Sequence, residues 1–323
     1  MSLRVIDRET VRRLLPYEAC IPLMREAMIA LSAGRTQQLL RQIIDLGETS
    51  AFGMMPGATP EAFGAKLIGV RPPRSDGVQS HQGAVVLFDR LSGDILAVLH
   101  AGEITAIRTA AASAAATDVL ALPDARRVAI LGTGEQARSH ALAMTRVRPV
   151  SQLLIWGRSP ERSRALAERL RGELDIQVET AASVEAATVG AQIICAATAA
   201  ASPILESRWV EDGTHINLVG SSRAGPREID DDLVLRGRFI ADHREGVLRQ
   251  GAEFLHAKAA GLVGDEHVVA EIGQVMAGER PGRTSATEVT LYKSLGAIVQ
   301  DLVAGWFVYQ AALKQNLGSN VPF

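Results

Sequence analysis

Residues Val128-Ala-Ile-Leu-Gly-Thr-Gly-Glu-Gln-Ala137 decide how this chain folds. Four apolar residues, Val128 to Leu131, have the length and character of a short buried strand. Gly132, Thr133, Gly134, Glu135, Gln136 and Ala137 follow as Gly-x-Gly-x-x-Ala, and Ala141, Leu142, Met144 and Thr145 continue with helical spacing. Alone, such glycines mark only a turn. Between a strand and a helix they form a dinucleotide-binding motif. Gly132 permits the turn, Gly134 lets backbone approach a pyrophosphate, and the small Ala137 lets helix pack close on strand. The helix N-terminus then offers N–H groups and a positive dipole end to phosphate.

Downstream, strand and helix signals alternate. Strands are expected at Leu153–Trp156, Ile176–Glu179, Ile193–Ala197, His215–Val219 and Phe239–Asp242. Helices are expected at Pro160–Leu170 and Ser183–Gly190, and near Val247–Leu255 and Val268–Ala277. This alternation predicts an α/β unit, a Rossmann-type doubly wound parallel sheet. NAD binders place a carboxylate at the tip of the second strand to hold the ribose hydroxyls. Here that tip reads Gly157-Arg-Ser-Pro-Glu-Arg162, with Arg158, Ser159 and Arg162 together. Guanidinium groups suit a 2′-phosphate. NADPH is therefore the expected cofactor, with NAD(H) possible, although a solvated arginine pair would look the same. Thr198 ends the fourth strand at the edge where cofactors lie, and an ordinary Ser/Thr turn is its alternative role.

The first 120 or so residues read as a mixed α/β unit. A helix is predicted over Tyr17–Ala33, closed by Gly34. Strands follow at Leu39–Leu46, Phe63–Val70 and Ala84–Asp89, the last turning through Arg90–Asp94 into Ile95–Leu99. An alanine-rich helix, Ile104–Leu120, closes the unit before Pro123-Asp124. A long amphipathic helix from Ser294 is expected to fold back onto this unit and make it discontinuous. The predicted domains are thus 1–122 with 295–323, for substrate binding and dimerisation, and 123–294 for the dinucleotide. The apolar strand faces and the alanine-rich helix suggest a homodimer.

At 323 residues, with 34 basic and 36 acidic side chains and a net charge of −2, the chain has no basic stripe for nucleic acid. Cys20 and Cys195 have no metal or redox spacing, and no metal site is expected. Charged residues interrupt every long apolar stretch, so no membrane span or signal peptide is predicted, and a cytoplasmic location is expected.

Several separate segments, in order, resemble the ornithine cyclodeaminase/mu-crystallin family. They are Gly64-Ala-Lys66, Ser80–Asp89, Ile104–Ser113, the glycine turn, Cys195-Ala-Ala-Thr198, Ile216–Gly220 and Lys293-Ser-Leu-Gly296. The resemblance covers nearly the whole chain. It implies a dimeric two-domain enzyme with its active site between the domains, and Arg41, Lys66 and Arg108 as the cations gripping a substrate carboxylate. The residues fit that role on their chemistry. A lysine inside the apolar run at Lys66 needs an anionic partner. Arg108 sits in a helix of small apolar residues, with a structural ion pair, for instance to Glu103, as the competing reading. His81 is a further candidate, for substrate binding and proton transfer, with a structural histidine as the competing reading, and Gln82 is a candidate for a hydrogen bond to substrate or cofactor amide.

One position departs from the deaminase pattern. Ornithine cyclodeaminases and the similar alanine dehydrogenases carry an Asp in the loop after the fifth strand, where this chain has Ser222. That Asp performs general acid/base work, which a serine without an adjacent base cannot readily do at neutral pH. The ketimine and pyrroline-2-carboxylate reductases of the family have serine. The resemblance therefore implies an NADPH-dependent reductase of a cyclic imino acid such as Δ1-pyrroline-2-carboxylate or Δ1-piperideine-2-carboxylate. Lys66, Arg108 and Ser222 would be its catalytic residues. Ornithine cyclodeaminase, a related amino-acid dehydrogenase, and a non-catalytic NADPH-dependent binding protein are the alternatives.

Overall fold

The computed structural model describes residues 2–48, 50–71 and 81–323, with His81 described by its backbone alone. In chain order it begins with β1 (Ser2–Ile6), α1 (Arg8–Leu14), α2 (Tyr17–Ser32), β2 (Gln37–Gln38), β3 (Gln42–Gly47) and β4 (Ser50–Ala58). β5 (Ala62–Val70), β6 (His81–Asp89), β7 (Ile95–His100) and α3 (Ala101–Leu120) follow. The glycine motif lies between β8 (Arg127–Leu131) and α4 (Glu135–Met144). Then come β9 (Gln152–Trp156), α5 (Pro160–Glu173), β10 (Gln177–Thr180), α6 (Val184–Thr188), β11 (Ile193–Ala196), β12 (His215–Leu218) and α7 (Asp231–Arg236). The remainder is β13 (Arg238–Ala241), α8 (Arg244–Gln250), α9 (Ala252–Ala259), β14 (Val268–Glu271), α10 (Ile272–Met276), β15 (Thr290–Lys293), α11 (Ile298–Gln315) and β16 (Ser319–Pro322).

The chain divides into two compact units, Met1–Arg108 with Ala297–Phe323, and Thr109–Gly296. The division falls inside α3 rather than after Leu122. In the first unit one sheet runs β16-β1-β7-β6-β5-β4-β2, with β3 added on β4. β4, β5, β6 and β7 pair antiparallel in sequence. β5 alternates in burial, so Ala62, Gly64 and Lys66 point to one face. That face lies under α11: a Cβ on Gly64 would come within 3.2 Å of Leu302.

The second unit holds an eight-stranded sheet, β10-β9-β8-β11-β12-β15-β13-β14, paired in parallel throughout. β9 and β10 extend outward from one side of β8, and β11 and β12 from the other. The strand order therefore reverses beside β8, which is where doubly wound sheets bind their ligands. β8, β11, β12 and β15 are buried almost throughout, as strands covered on both faces must be.

Several expectations need correction. Val268–Glu271 is a strand, not the start of a helix, and only Ile272–Met276 coils. The helix expected near Val247–Leu255 is two, broken at Gly251. α11 begins at Ile298 rather than Ser294, because Gly296 turns the chain at φ 85°. The strand expected over Leu39–Leu46 pairs only from Gln42, leaving Arg41 in a loop. The alanine-rich stretch of α3 is not an uncovered surface, since Ala110, Ala111, Ala114, Ala115 and Ala116 are fully buried within the chain. Apolar surface is exposed instead on β3, at Ile43, Ile44 and Leu46. Among the described residues no helix is long and apolar enough to cross a membrane.

Candidate functional site

In the first unit, strand register and helix phase converge on a buried cluster of charge. Lys66 on β5 and Arg108 on α3 both reach Asp301 on α11. A single oxygen, Asp301 Oδ1, accepts from Lys66 Nζ at 3.2 Å and from Arg108 Nε at 3.1 Å. Arg108 Nη1 also donates to Gln300 Oε1 at 2.6 Å, and Gln300 Nε2 rests 3.1 Å from Met28 Sδ. All three charged side chains are buried. Arg108 lies about two turns into α3, beyond the first turn where the helix dipole acts. The positive potential therefore comes from the side chains.

The titration of the cluster follows from its charges. Burial lowers Lys66 to about 8 against the pull of Asp301, with the charges of Arg108 and Arg41 adding to the fall. Arg41, half-buried in its loop, is thus brought within electrostatic reach of Lys66. Burial would raise the Asp301 carboxyl, but Arg108 and Lys66 outweigh it and hold it below its usual range. Asp301 stays ionised and cancels only one of the neighbouring positive charges. Its Oδ2 is buried and takes no hydrogen bond among the described residues. A desolvated site with cations in excess is built for an anion.

Asp301 and Gln300 were not foreseen from sequence. The signal was present, since an Asp in an apolar helix face needs a buried partner. Arg108 is ion-paired, as the competing reading required, but not to Glu103, which pairs with Arg8 and Arg12 at 2.8 Å each. The structure does not bring Gln82 to this cluster. Gln82 is exposed, and its register puts it on the face of β6 opposite Val85, the partner of Lys66. Ser80 lies outside the described residues, as does the side chain of His81.

In the second unit the glycine turn has the geometry a dinucleotide requires. Gly132 takes φ 127°, and a Cβ there would come within 2.4 Å of the Ala197 carbonyl oxygen. Gly134 is the N-cap of α4, with no side-chain cap and open space where its Cβ would be. Thr133 packs against Gly157, whose missing Cβ leaves room for its methyl. Glu135 and Gln136 form the first turn of α4, and Ala137 is fully buried against the sheet. These residues fit a pyrophosphate over the helix N-terminus. At the β9 tip, Ser159 caps α5 by accepting from Arg162 N at 3.3 Å, with Pro160 opening the helix. Arg158 and Arg162 are exposed beside it.

Thr198 and Ser222 follow β11 and β12 at the carboxyl edge of the same sheet. The Thr198 hydroxyl donates to Glu228 Oε1 at 2.7 Å and accepts from Ala200 N at 3.2 Å, closing a Ser/Thr turn. Ser222 is half-buried in the loop after Gly220. Neither cysteine takes part. Burial pushes both thiols up to about 12, which leaves them unreactive.

The sequence profile of the ornithine cyclodeaminase/mu-crystallin family matches residues 3–316. The chain belongs to that family. Among its family relatives, the ketimine reductase mu-crystallin of Mus musculus is 36% identical over 298 residues, covering 90% of this chain and 91% of the mouse protein. A Δ1-pyrroline-2-carboxylate reductase of Bacillus cereus is 30% identical over 324 residues, 99% of each chain. The Δ1-pyrroline-2-carboxylate reductase of Thermococcus litoralis, solved with NADH and L-proline, superimposes with a TM-score of 0.96 at 30% identity. That alignment covers 99% of this chain and all of the other.

Proposed function

We propose that this family member is an NADPH-dependent reductase of a cyclic imino acid, forming proline or pipecolate from Δ1-pyrroline-2-carboxylate or Δ1-piperideine-2-carboxylate. The observation that carries this reading is the buried excess of positive charge around Asp301, which matches a small carboxylate. The reductases named above, one of them solved with L-proline, support the ring chemistry.

Lys66, Arg108 and Arg41 hold the substrate carboxylate, and Asp301 holds the first two of these in turn. A fixed carboxylate fixes the adjacent imine carbon, because the two are directly bonded. Bound NADPH supplies a hydride from C4 of its nicotinamide ring. Reduction of the C=N bond would leave the electron pair on nitrogen, which is already protonated or would need one proton. Lys66 Nζ, lowered to about 8, can hold that proton near neutrality. Ser222, where the deaminases have an Asp, cannot serve as the proton acceptor that deamination needs, which favours reduction. The exposed Arg158 and Arg162 favour the 2′-phosphate of NADPH. We also propose that a second copy of the chain covers the exposed apolar residues of β3, giving a homodimer that sedimentation at micromolar concentration would detect.

The test is a panel of cyclic imino acids with NADPH and NADH, followed at the nicotinamide absorbance, beside ornithine with NAD+ followed by ammonia release. Steady NADPH oxidation with an imino acid is expected. Ammonia from ornithine in the unmodified protein overturns the reading.

A further inference from the structure

A second buried cluster of charge lies beneath the carboxyl edge of the parallel sheet, and the hydride-transfer mechanism leaves it without a role. Glu228 is completely buried. Its Oε1 accepts from both Thr198 N and Thr198 Oγ1 at 2.7 Å, and its Oε2 accepts from Gly220 N at 2.8 Å. Thr198 follows β11 and Gly220 follows β12, which are neighbours in the sheet. One carboxylate therefore ties two adjacent strand ends together. Gly220 is required there: a Cβ would lie 2.0 Å from the Thr198 carbonyl oxygen and 2.5 Å from Glu228 Oε1.

The tie is itself held from below. Glu253 on α9 accepts from Glu228 N at 3.3 Å and pairs with Lys293 on β15 at 2.7 Å, both side chains fully buried. Lys293 Nζ also donates to Ser221 Oγ at 3.1 Å, one residue before Ser222. Two carboxylates and one ammonium are sunk under one loop. Burying such groups is rarely the cheapest route to stability, since apolar side chains of similar volume often do as well. The three hydrogen bonds to Glu228 all come from N–H and O–H donors and favour its charged form, against the burial that raises its carboxyl above the usual range.

We propose that Glu228 is a positioning residue for reduction: it clamps the ends of β11 and β12 into one rim, residues 198–200 and 220–222, against which the nicotinamide half of the cofactor is set. This rests on the reductase reading above. The Thr198 hydroxyl, whose one hydrogen goes to Glu228, then serves as part of the clamp. The adenosine half of the cofactor belongs to the glycine turn and the β9 tip, so the clamp should bear on one half of the cofactor only.

The experiment compares the unmodified protein, Glu228→Gln and Thr198→Val. Each is titrated calorimetrically, without substrate, with NADPH and with 2′,5′-ADP, the adenosine half alone. Glutamine keeps one acceptor and turns an amide N–H toward a donor, so NADPH should bind about tenfold more weakly, while 2′,5′-ADP is unchanged. Thr198→Val loses only the hydroxyl arm and should shift the same way by a few fold. It also keeps the test open should Glu228→Gln fail to fold. In turnover, kcat should fall by more than the KM for imino acid rises. NADPH affinity within twofold of the unmodified protein in both variants overturns the proposal. So does an equal loss of NADPH and 2′,5′-ADP in Thr198→Val, which would mark a purely structural role. If no imino acid is turned over by the unmodified protein, the reductase reading fails, while the two titrations still judge the clamp.

Discussion

The charge on Lys66 should set how tightly the first unit holds a carboxylate. Burial brings Lys66 from 10.5 to about 8, so the ammonium is largely present at neutral pH and lost above it. Each pH unit beyond that point leaves roughly a tenth as much ammonium, and affinity for a carboxylate should fall about tenfold per unit. A suitable ligand is pyrrole-2-carboxylate, which has the shape of the imino acid but no basic nitrogen, with its Kd measured calorimetrically from about pH 6 to 10. Lys66→Arg, charged throughout that range, should flatten the profile. Asp301→Asn removes the charge that holds Lys66 up, so its break should move below 8. Stability runs the other way. The folded value lies below the unfolded one, so the penalty of a buried ammonium is full below pH 8. It is relieved as pH rises toward 10.5, by on the order of 3 kcal/mol. Lys66→Met should therefore keep or raise the melting temperature near pH 7 while abolishing carboxylate binding. A Kd independent of pH in the unmodified protein, or a break that persists unchanged in Lys66→Arg, refutes the reasoning.

Three further outcomes are expected. Arg158→Asp should reverse a preference for NADPH over NADH, with a loss of about ten- to a hundredfold in NADPH kcat/KM; equal kcat/KM for both cofactors before mutation removes its basis. Ser222→Ala should keep imine reduction within about tenfold, since one neutral hydrogen bond contributes ~1 kcal/mol, whereas Arg108→Ala should be far worse. In Ser222→Asp, reduction should be unchanged or slower, and any ornithine-to-proline conversion should be confined to that variant. Gly132→Ala places a Cβ 2.4 Å from the Ala197 carbonyl at φ 127°, so calorimetry should show cofactor binding lost and scanning should show a lower melting temperature.

What could be read in advance divides along physical lines. β8, its glycine turn and α4 were legible because a tight turn into a helix admits few sequences. β5 and β6 were legible from their apolar character, and Lys66 and Arg108 because a charge inside an apolar run needs a partner. β15 escaped notice: Thr290–Lys293 is four residues long and ends in a lysine whose neutralising partner, Glu253, is distant in sequence. Val268–Ala277 is a short apolar run that suits helix or strand equally, and its first four residues form β14. Asp301 carries the same signal as Lys66, a charge on an apolar face, but its partners Lys66 and Arg108 are remote along the chain, as Thr198 and Gly220 are from Glu228, and spacing cannot name such partners.

The discontinuity of the first unit has a consequence for how the protein is made. α11, which carries Asp301, belongs with Met1–Arg108, yet the whole of Thr109–Gly296 is synthesised between them. At ~5–20 residues per second, a nascent chain must wait on the order of ten seconds or more before that helix emerges. Until then Lys66 and Arg108 lack the carboxylate that neutralises them, and the sheet face beneath α11 stays bare. The contiguous second unit can close first, and the cluster of Lys66, Arg108 and Asp301 is among the last features to form. A chain released before α11 emerges would therefore carry Lys66 and Arg108 without the Asp301 that joins them.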